Sequence, residues 1–404
     1  MRLLFITPEP PYPPARGYSL LTYHHIRELS RRHTIDLVSF LPGKSVSQTN
    51  HLKRFCDEIV LVPHSRQRQL ASLIRGAADG RPLQVALYDS AEARRVVNTL
   101  SDKHAYDAVV CVLTRTAQYI RDAGRRSRMI LNMVDPLSLN YRLSLSWRPV
   151  PLQPFFREEA RRLREYESSI VGSFDNALLI CEADAEEYAR LLGAPNAFGW
   201  IPHVVDHEWL AEGPGWELRK AGSIVMTGNM FYAPNRDAAL YFADEIFPLI
   251  QQLLPAANLT LAGARPGSAL RKLARRPGIT VTGAVPDIRP YLHRARVAIC
   301  PVRLDVGTQT KVLEAMASAL PVVTTSAGNR GVKGVSGEHL IVADEPSRFA
   351  GAVVSLLRGE RWREIGNAGR NFVVANHSPA RSAEKLEGYL IGSGGEVSAV
   401  SGRA

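Results

Sequence analysis

A lysine and a glutamate stand one helical turn apart in the stretch PVRLDVGTQTKVLEAMASALPVV, residues 301–323. After a polar loop, the apolar residues return with helical spacing, which predicts a helix that begins near Thr308. Lys311 then lies in the first turn and Glu314 one turn later. The first N–H groups of a helix have no intrahelical partners and carry a partial positive charge. A lysine among them is therefore unfavourable unless an anion binds at this helix end.

A phosphate group is the anion that the neighbouring residues would suit. Gly307 allows a close approach to the backbone, and Thr308 or Thr310 could cap the helix or donate a hydrogen bond. Arg303 follows the preceding apolar run and would bring a second positive charge. The stretch therefore predicts a phosphate site between a strand end and a helix start.

Glu314 has two interpretations. It could pair with Lys311 on the helix surface, which would contribute a few tenths of a kcal/mol. Alternatively, its carboxylate could accept hydrogen bonds from the ribose diol of a nucleotide, as acidic residues do in other nucleotide sites. The spacing alone leaves both interpretations open.

The elements that must position these residues form an alternating pattern of strands and helices. Continuous apolar runs, as opposed to alternating ones, indicate parallel strands that are covered on both faces. Helical segments such as 18–32 separate them. In the first half the strand candidates are RLLFIT, TIDLVSF, EIVLVP, AVVCVL, MILNMV and ALLIC. This half is predicted to be a doubly wound α/β domain.

A Pro- and Gly-rich stretch near residue 200 predicts a linker, after which the alternation begins again. The strand candidates are now SIVMTG, NLTLAG, ITVTG, VAICPV, PVVTTS and HLIVAD, and three of them end in glycine. The fold class predicted is α/β, with two Rossmann-like doubly wound domains that face a central cleft and bind ligands at their strand ends. The predicted bounds are 1–203 and 208–375, followed by a disordered tail over 392–404.

Composition favours an ordinary globular protein. The 404 residues are 45% hydrophobic and 22% charged, and their number suggests about two to three domains. No apolar run approaches the ~18 residues that would span a bilayer, and the first ten residues lack a signal-peptide cleavage site. The four cysteines are scattered, without a CxxC pair: Cys56, Cys111, Cys181 and Cys300. A reduced, cytoplasmic protein is expected.

The formal charge of +11 does not by itself indicate a nucleic-acid partner. Basic residues interleave with acids in segments such as REEARRLREYE, which is typical of solvated helix faces. A tighter cluster, RDAGRRSR at 121–128, could favour an anionic membrane surface or a phosphate-bearing substrate. No nucleic-acid-binding motif accompanies it. Peripheral contact with the inner face of a membrane is one expectation from this cluster.

The segment KVLEAMASALPVVTT resembles the signature of the group 1, or family 4, glycosyltransferases of the GT-B fold. The resemblance continues in the segments IVMTGNMFYAPNRDAALYFADEIFPLI, NLTLAGARPG, ITVTGAVPDIRPYL and ARVAICPVRL, which are similar to the carboxyl domain of an exopolysaccharide-type subgroup. FITPEPPYPPARGYSLLTYHHIRELSRRH resembles the amino-terminal opening of that subgroup. The resemblance implies an acceptor-binding first domain, a donor-binding second domain, and a last helix at 376–391 that crosses back to the first.

The resemblance also implies site residues. Glu314 matches the second glutamate of an E-x7-E motif that binds the ribose, and Val285 matches a loop whose backbone contacts the base. Gly17 matches a flexible amino-terminal loop over the phosphates, and Gly307 and Thr308 match a loop that meets the diphosphate and donor sugar. The complete donor-binding set predicted in this way is Gly17, Gly228, Asn229, Val285, Asp305, Gly307, Thr308, Gln309 and Glu314.

Three positions depart from the family pattern. Val306 stands where the first glutamate of the motif is expected, with Asp305 adjacent, and Asn229 stands where an arginine is usual. Neutralisation of the diphosphate is therefore assigned to Arg303 and Lys311. In NMVDP, a valine replaces the histidine that usually precedes Asp135.

The expected reaction is transfer of a sugar from a nucleotide-diphosphate donor, a UDP-sugar first of all, to an acceptor hydroxyl. The resemblance implies retention at the anomeric carbon, and the absence of an Asp-x-Asp pair favours a mechanism without a metal or another cofactor. The catalytic residues predicted are Arg303, Lys311 and Asp135. An inverting route would need a base, for which Asp135, His24 or His25 are candidates. The acceptor could be a glycan, a lipid-linked glycan or a small metabolite.

Three other functions compete with this one. An NAD-dependent oxidoreductase is disfavoured because ITPEPP, not G-x-G-x-x-G, follows the first strand. A sugar-nucleotide epimerase on the same fold would bind the same donor but would need acidic groups around the sugar. A catalytically silent scaffold would bind the nucleotide only.

Overall fold

The computed structural model describes residues 1–14, 17–41, 49–64, 66–122, 127–194, 197–212, 218–303 and 307–393. The chain divides into two compact units. Unit 1 comprises Met1–Val204 and the segment that begins at Pro379, and unit 2 comprises Val205–Ser378. The predicted tail lies, from residue 394 on, outside the described residues.

Unit 1 is built on a seven-stranded parallel sheet with strand order β3-β2-β1-β4-β5-β6-β7. Its strands are β1 Arg2–Thr7, β2 Thr34–Leu41, β3 Ile59–Pro63, β4 Ala108–Val112, β5 Arg128–Val134, β6 Asn176–Leu179 and β7 Phe198–Trp200. Its helices are α1 Gly17–Leu29, α2 Thr49–Leu52, α3 Arg66–Ala78, α4 Leu83–Ala86, α5 Ala91–Lys103, α6 Leu137–Leu143, α7 Gln153–Val171 and α8 Glu182–Leu192. Three 3-10 turns, Thr114–Asp122, Ser144–Trp147 and Val150–Leu152, complete it together with the last helix of the chain.

Unit 2 repeats the plan with a six-stranded parallel sheet of order β10-β9-β8-β11-β12-β13. Its strands are β8 Ser223–Thr227, β9 Asn258–Ala262, β10 Ile279–Gly283, β11 Val297–Cys300, β12 Val322–Thr324 and β13 Ile341–Val342. The helices are α9 His207–Ala211, α10 Ala233–Tyr241, α11 Phe247–Leu253, α12 Ser268–Leu273, α13 Arg289–Arg294, α14 Thr310–Ala317, α15 Ser326–Asn329, α16 Pro346–Arg358 and α17 Arg361–His377. A π-helical turn, Phe242–Ile246, joins α10 to α11.

The predicted fold class, two Rossmann-like doubly wound α/β domains, is confirmed by the two parallel sheets. The central strands β4 and β8 are buried along their whole length, as continuous apolar runs require when helices cover both faces. Each sheet reverses its strand order once, between β1 and β4 in unit 1 and between β8 and β11 in unit 2. Such reversals open a crevice at the carboxyl ends of the strands, where doubly wound sheets bind ligands.

One strand was missing from the sequence-based prediction. β7 is only three residues long, and its middle residue is Gly199. A Cβ at that position would lie 2.4 Å from the Tyr389 hydroxyl, so the side chain of Tyr389 occupies the space that any larger residue would need. The packing of a distant helix thus explains a glycine that the local sequence pattern does not.

Helix α18, Pro379–Ile391, completes unit 1 by packing against α1. The Ser382 hydroxyl donates to the Pro202 carbonyl at 2.7 Å and lies 2.8 Å from His25 Nε2. Burial lowers the pKa of His25 to about 3, so this side chain is neutral at ordinary pH. His24 is buried in the same helix.

All four cysteines are buried thiols. Cys111 and Cys300 lie within β4 and β11, as small apolar residues commonly do. Within the described ranges, no helix is long and apolar enough to cross a membrane.

Candidate functional site

In unit 2, three glycines line the carboxyl edge of neighbouring strands. Gly228, Gly263 and Gly283 follow or end β8, β9 and β10, and all three have positive φ, 146°, 154° and 75°. A Cβ at Gly263 would lie 1.7 Å from the Gly228 carbonyl oxygen, which only glycine avoids. The glycines predicted from the strand ends therefore meet, and they leave a shallow backbone floor at the edge of the sheet.

Helix α14 begins beside this floor, after the reversal from β8 to β11. It starts at Thr310, with Gln309 as the N-cap residue, so the prediction of a start near Thr308 is wrong by two residues. Thr308 lies one residue before the N-cap; it is buried, and its hydroxyl donates to the Gly331 carbonyl at 3.2 Å. The helix also ends at Ala317, so only half of the AMASAL segment is helical.

Lys311 extends from the first turn of α14 across Gly228. A Cβ placed on Gly228 would lie 3.4 Å from Lys311 Cε. The ammonium group donates to Gln309 Oε1 at 2.6 Å. No ion pair joins Lys311 to Glu314 or to any other acid in the described part of the chain. The positive charge is therefore held at the helix start by a neutral partner, which suits it to an incoming anion.

Glu314 lies half-buried one turn deeper in α14. Its carboxylate makes no hydrogen bond or ion pair with a described residue. Burial raises the pKa of Glu314 to about 7, and the attraction of Lys311 opposes that rise only in part. The surface pair with Lys311, one of the two interpretations of this residue, is absent from the structure. An unsatisfied half-buried carboxylate at a site is a group that a ligand can satisfy.

Arg303 has a partner that the sequence did not indicate. Its guanidinium donates to both carboxylate oxygens of Asp237, at 3.0 and 2.6 Å, and lies 4.7 Å from the ring centroid of Tyr241. Both partners belong to α10. Because Asp237 compensates the charge, Arg303 offers less to a diphosphate than its place after β11 suggested, although its side chain is 52% exposed.

The loop that follows β8 is held by its own side chains. Asn229 Oδ1 accepts from the Phe231 N–H at 3.1 Å, and Asn235 Nδ2 donates to the Asn229 carbonyl at 3.0 Å. The Asn229 side chain thus shapes the turn beside Gly228. Val285 lies in the half-buried loop between β10 and α13. Asp305 and Val306 lie outside the described residues.

Gly331 was missed by the sequence analysis although it lies against the predicted site. A Cβ there would meet the Gly307 carbonyl oxygen at 2.4 Å and the Thr308 hydroxyl at 2.7 Å. Gly307 itself has a φ of 68°, which favours glycine. The loop after α15 therefore closes on the loop before α14, and only a glycine permits that approach. The short NRGVKG pattern around it carries no spacing that would have indicated this contact.

In unit 1, Asp135 directly follows β5 and lies half-buried. The preceding residue, Val134, has a φ of 67°, and the Asp135 N–H donates to the Met133 carbonyl at 2.8 Å. This tight turn is rare for a β-branched residue. Burial and the nearby Asp184 raise the pKa of Asp135 to about 6, within the range of a group that exchanges protons near neutral pH.

A buried carboxylate supports the segment around Asp135. Glu167 of α7 accepts from the Ser138 N–H at 3.4 Å and the Thr114 hydroxyl at 3.3 Å, and also from the Tyr188 hydroxyl. Burial raises the pKa of Glu167. These contacts join the segment after β4, helix α6 and helix α8 to α7, and the sequence analysis did not identify them.

Two other predicted positions in unit 1 differ from expectation. Gly17 is the first residue of α1 and not part of a loop, and a Cβ there would lie 3.3 Å from His203 Nε2. Most of the basic cluster at 121–128 falls outside the described residues or side chains. Its last member, Arg128, donates to the Tyr389 carbonyl at 2.6 Å and to Asn176 Oδ1 at 3.4 Å, which is a structural role.

Comparison with known proteins finds that part of the chain is similar to glycosyltransferases. Residues 221–359 match the family model described as "Glycosyl transferases group 1". A curated relative from Klebsiella pneumoniae, an uncharacterized 44.6 kDa protein in the cps region, is 19% identical over 389 residues, which is 93% of this chain and 96% of the relative.

Solved structures share the fold along nearly the whole chain. Anabaena HepE, in complex with UDP and glucose, is 12% identical and superimposes with a TM-score of 0.66 over 97% of this chain and 100% of its own. A mutant of S. aureus TarM, in complex with fondaparinux, alpha-GlcNAc-glycerol and UDP, is 9% identical, with a TM-score of 0.64 over 96% and 100%. The resemblance to the group 1 glycosyltransferases is thereby confirmed for residues 221–359, and the chain shares the GT-B fold of these solved structures.

Proposed function

We propose that the protein transfers a sugar from a nucleotide-diphosphate donor, a UDP-sugar, to an acceptor hydroxyl. The observation that carries the proposal is the arrangement of Lys311 and Glu314 on α14. The lysine crosses Gly228 at the strand-order reversal, and the glutamate presents an unsatisfied carboxylate one turn deeper. The lysine suits a diphosphate and the glutamate suits a ribose diol. The UDP named in the HepE and TarM complexes supports uracil as the base of the donor.

In this mechanism the protein stabilises the leaving group. The bond between the anomeric carbon and the terminal phosphate oxygen breaks, and negative charge develops on the departing UDP. The Lys311 ammonium and the first N–H groups of α14 offset that charge, which is the largest contribution that such a site usually makes. Arg303 adds positive charge through the exposed part of its side chain, which remains hydrogen-bonded to Asp237. The donor-binding set from the sequence analysis remains our proposal for this site.

We further propose retention at the anomeric carbon without a metal ion. The acceptor hydroxyl would then attack from the face that the UDP leaves, and its proton would pass to the departing phosphate oxygen, so that no protein base is required. Asp135 would serve an inverting reaction as the base instead. We assign it the role of contacting the acceptor, since it lies at the carboxyl edge of the unit 1 sheet.

For the acceptor we propose a glycan of a surface polysaccharide, free or lipid-linked, and not a small metabolite. The relative encoded in a cps region supports this choice. We propose that the reaction takes place in the cytoplasm.

A donor screen tests the reaction. The full chain is incubated with UDP-glucose, UDP-galactose, UDP-N-acetylglucosamine and a glycan acceptor, and UDP release is followed together with the anomeric proton signal of the product. Release of UDP with an α-linked product and undiminished activity in EDTA is expected. A β-linked product would contradict retention, and loss of activity in EDTA would contradict metal independence.

The same experiment distinguishes sugar transfer from the epimerase and scaffold alternatives. A change of sugar configuration without net transfer would identify an epimerase. UDP binding with neither outcome would identify a nucleotide-binding scaffold.

A further inference from the structure

Two aromatic side chains are exposed beside the proposed phosphate site of unit 2. Phe231 is 67% exposed and Tyr232 52%. They follow Gly228 closely, in the loop between β8 and α10. Single exposed apolar residues are common on protein surfaces, but two adjacent aromatic rings at the edge of a ligand site are suited to stack on a ligand. No role assigned above involves either ring.

The loop holds these rings outward by its own hydrogen bonds. The Phe231 N–H donates to Asn229 Oδ1, and the Tyr232 N–H donates to the Asn229 carbonyl, each at 3.1 Å. Met230 is fully buried, and its N–H donates to the Ala264 carbonyl at 2.9 Å. The rings are therefore presented on a fixed backbone, so that a ligand can stack on them at little cost in loop entropy.

An arginine from the neighbouring loop lies next to the first of these rings. Arg265 follows β9, and its guanidinium carbon lies 5.8 Å from the ring centroid of Phe231. Its φ of 56° is uncommon for a residue with a side chain, and such conformations cluster at functional sites. The Arg265 side chain is exposed and forms no hydrogen bond or ion pair in the described part of the chain. We call Phe231, Tyr232 and Arg265 the aromatic shelf.

The charges around the aromatic shelf are positive. Arg236, in the first turn of α10, also forms no ion pair with a described residue. Asp237, the next residue, is hydrogen-bonded to Arg303 through both carboxylate oxygens. Helix α10 begins directly after Tyr232 without a side-chain cap, so the positive end of its dipole lies at the shelf. An anionic ligand is therefore favoured over a neutral one.

A sugar ring that carries a carboxylate matches these groups. The C–H face of a pyranose is apolar and packs on an aromatic ring, while a carboxylate can accept two parallel hydrogen bonds from a guanidinium. A protein partner would need an interface of about 1,000 Å², far more than two side chains supply.

A nucleotide base could also stack on an aromatic ring, but the proposed nucleotide site lies elsewhere on the sheet. Lys311 and Glu314 belong to α14, which follows β11, whereas Arg265 follows β9. These two strands flank β8 on opposite sides. The aromatic shelf is therefore assigned to a second group, beside the nucleotide.

We propose that the aromatic shelf binds a uronic acid unit of the acceptor glycan. The pyranose ring would pack on Phe231 and Tyr232, and its carboxylate would bind Arg265. A neutral sugar would stack on the rings equally well but would not use the charge of the arginine. The inference rests on the proposed transfer to a glycan, and it specifies that this glycan is acidic.

Binding of two simple glycosides in the absence of a donor tests the proposal. Methyl β-D-glucuronide and methyl β-D-glucoside differ only at C6, and saturation-transfer NMR measures the dissociation constant of each for the full chain. The glucuronide should bind about tenfold more tightly, the scale of one charge-assisted hydrogen bond. Phe231→Ala should weaken binding of both glycosides about fivefold, the scale of one aromatic contact. Arg265→Gln should abolish the preference for the glucuronide.

Matched variants control for the loss of an exposed ring or charge. Phe155→Ala removes an exposed ring from unit 1, and Arg271→Gln removes an exposed arginine from α12. Both should bind the two glycosides as the parent does, and all four variants should keep the parent thermal midpoint. The proposal is wrong if the parent does not prefer the glucuronide or if the controls lose as much binding.

Titration with UDP distinguishes the shelf from a base-binding surface. Phe231→Ala should bind UDP as the parent does. If this variant loses as much affinity for UDP as for the glycosides, the ring stacks on the base and the proposal is wrong. Failure of the proposed transfer would appear separately, as absence of UDP release from the parent in the donor screen, because glycoside binding is measured without a donor.

Discussion

The side chain of Lys311 crosses the backbone of Gly228, so that a Cβ on the glycine would lie 3.4 Å from the lysine Cε. The two residues are far apart in the chain but meet where the sheet of unit 2 reverses its strand order. Gly228 is thereby both the floor of the proposed phosphate site and the support for the aliphatic part of the lysine. This contact and the hydrogen bond to Gln309 hold the Lys311 ammonium group at the start of α14.

Lys311→Met keeps an aliphatic chain over Gly228 and removes the charge together with the hydrogen bond to Gln309. We expect UDP to bind at least tenfold more weakly, uridine to bind as before, and turnover to fall by about a hundredfold, the scale of losing one donor to a developing oxyanion. Calorimetric titration with both ligands measures the difference. Lys272→Met, an exposed lysine of α12, is the control. Equal losses for UDP and uridine would show that Lys311 does not touch phosphate.

Gly228→Ala adds the Cβ that the structure has no room for. It would lie 2.9 Å from Asn235 Nδ2 and 3.4 Å from Lys311 Cε, on a backbone with a φ of 146°. We expect a loss of about 1–3 kcal/mol in the free energy of unfolding, measured by urea titration, together with weaker UDP binding. Gly267→Ala is the control, because a Cβ there meets nothing within 4 Å. Similar behaviour of the two variants would refute the close contact.

Arg303→Ala should matter less than the position of this residue first suggested. Asp237 holds the guanidinium through two hydrogen bonds, so removal of the arginine should weaken UDP binding much less than Lys311→Met does. The Arg303→Ala/Asp237→Asn double variant should recover any loss in stability, since it removes the uncompensated carboxylate. An Arg303→Ala effect on UDP as large as that of Lys311→Met would mean that the pair opens when the donor binds.

Glu314→Gln separates the ribose role from a purely structural one. Charge-assisted hydrogen bonds are worth about 1.5–3 kcal/mol each, so UDP should bind the variant more than tenfold more weakly. The 2′,3′-dideoxy analogue of UDP lacks both hydroxyls and should bind parent and variant almost alike. If the parent binds the analogue as tightly as UDP, the ribose role is wrong.

The raised pKa of Glu314 also predicts how stability depends on pH. The ordinary value of 4.5 rises to about 7 in the folded protein, so between these pH values the folded state binds more protons than the unfolded state. The contribution of Glu314 to the free energy of unfolding therefore falls as pH rises through this window. Glu314→Gln should be little different from the parent at pH ~4.5 and more stable at pH ~8, by up to about 3 kcal/mol. Urea unfolding at both values measures this.

Glu208→Gln, an exposed glutamate on α9, is the control for the pH experiment. Its difference from the parent should be the same at both pH values. A Glu314→Gln variant that behaves like this control would show that the Glu314 carboxyl is not buried enough to hold its proton.

The sequence by itself determined the parallel sheets and the place of the proposed site. Continuous apolar runs require cover on both faces, and this predicted all strands except β7. Glycines at the ends of β8, β9 and β10 could also be identified from the sequence, as could the pair Lys311 and Glu314 on one helix. Backbone freedom and the 3.6-residue period of a helix are local properties.

Tertiary structure alone decided what each charged group meets. Arg303 and Asp237 are 66 residues apart in the chain. The two hydrogen bonds between them depend on the packing of α10 beside the end of β11. Glu167 gathers partners from three other segments, and Glu314 lacks the lysine partner that its spacing offered. Such contacts depend on strand order and helix packing, which no local pattern encodes. The same is true of Gly199 and Gly331, whose side-chain space is occupied by distant residues.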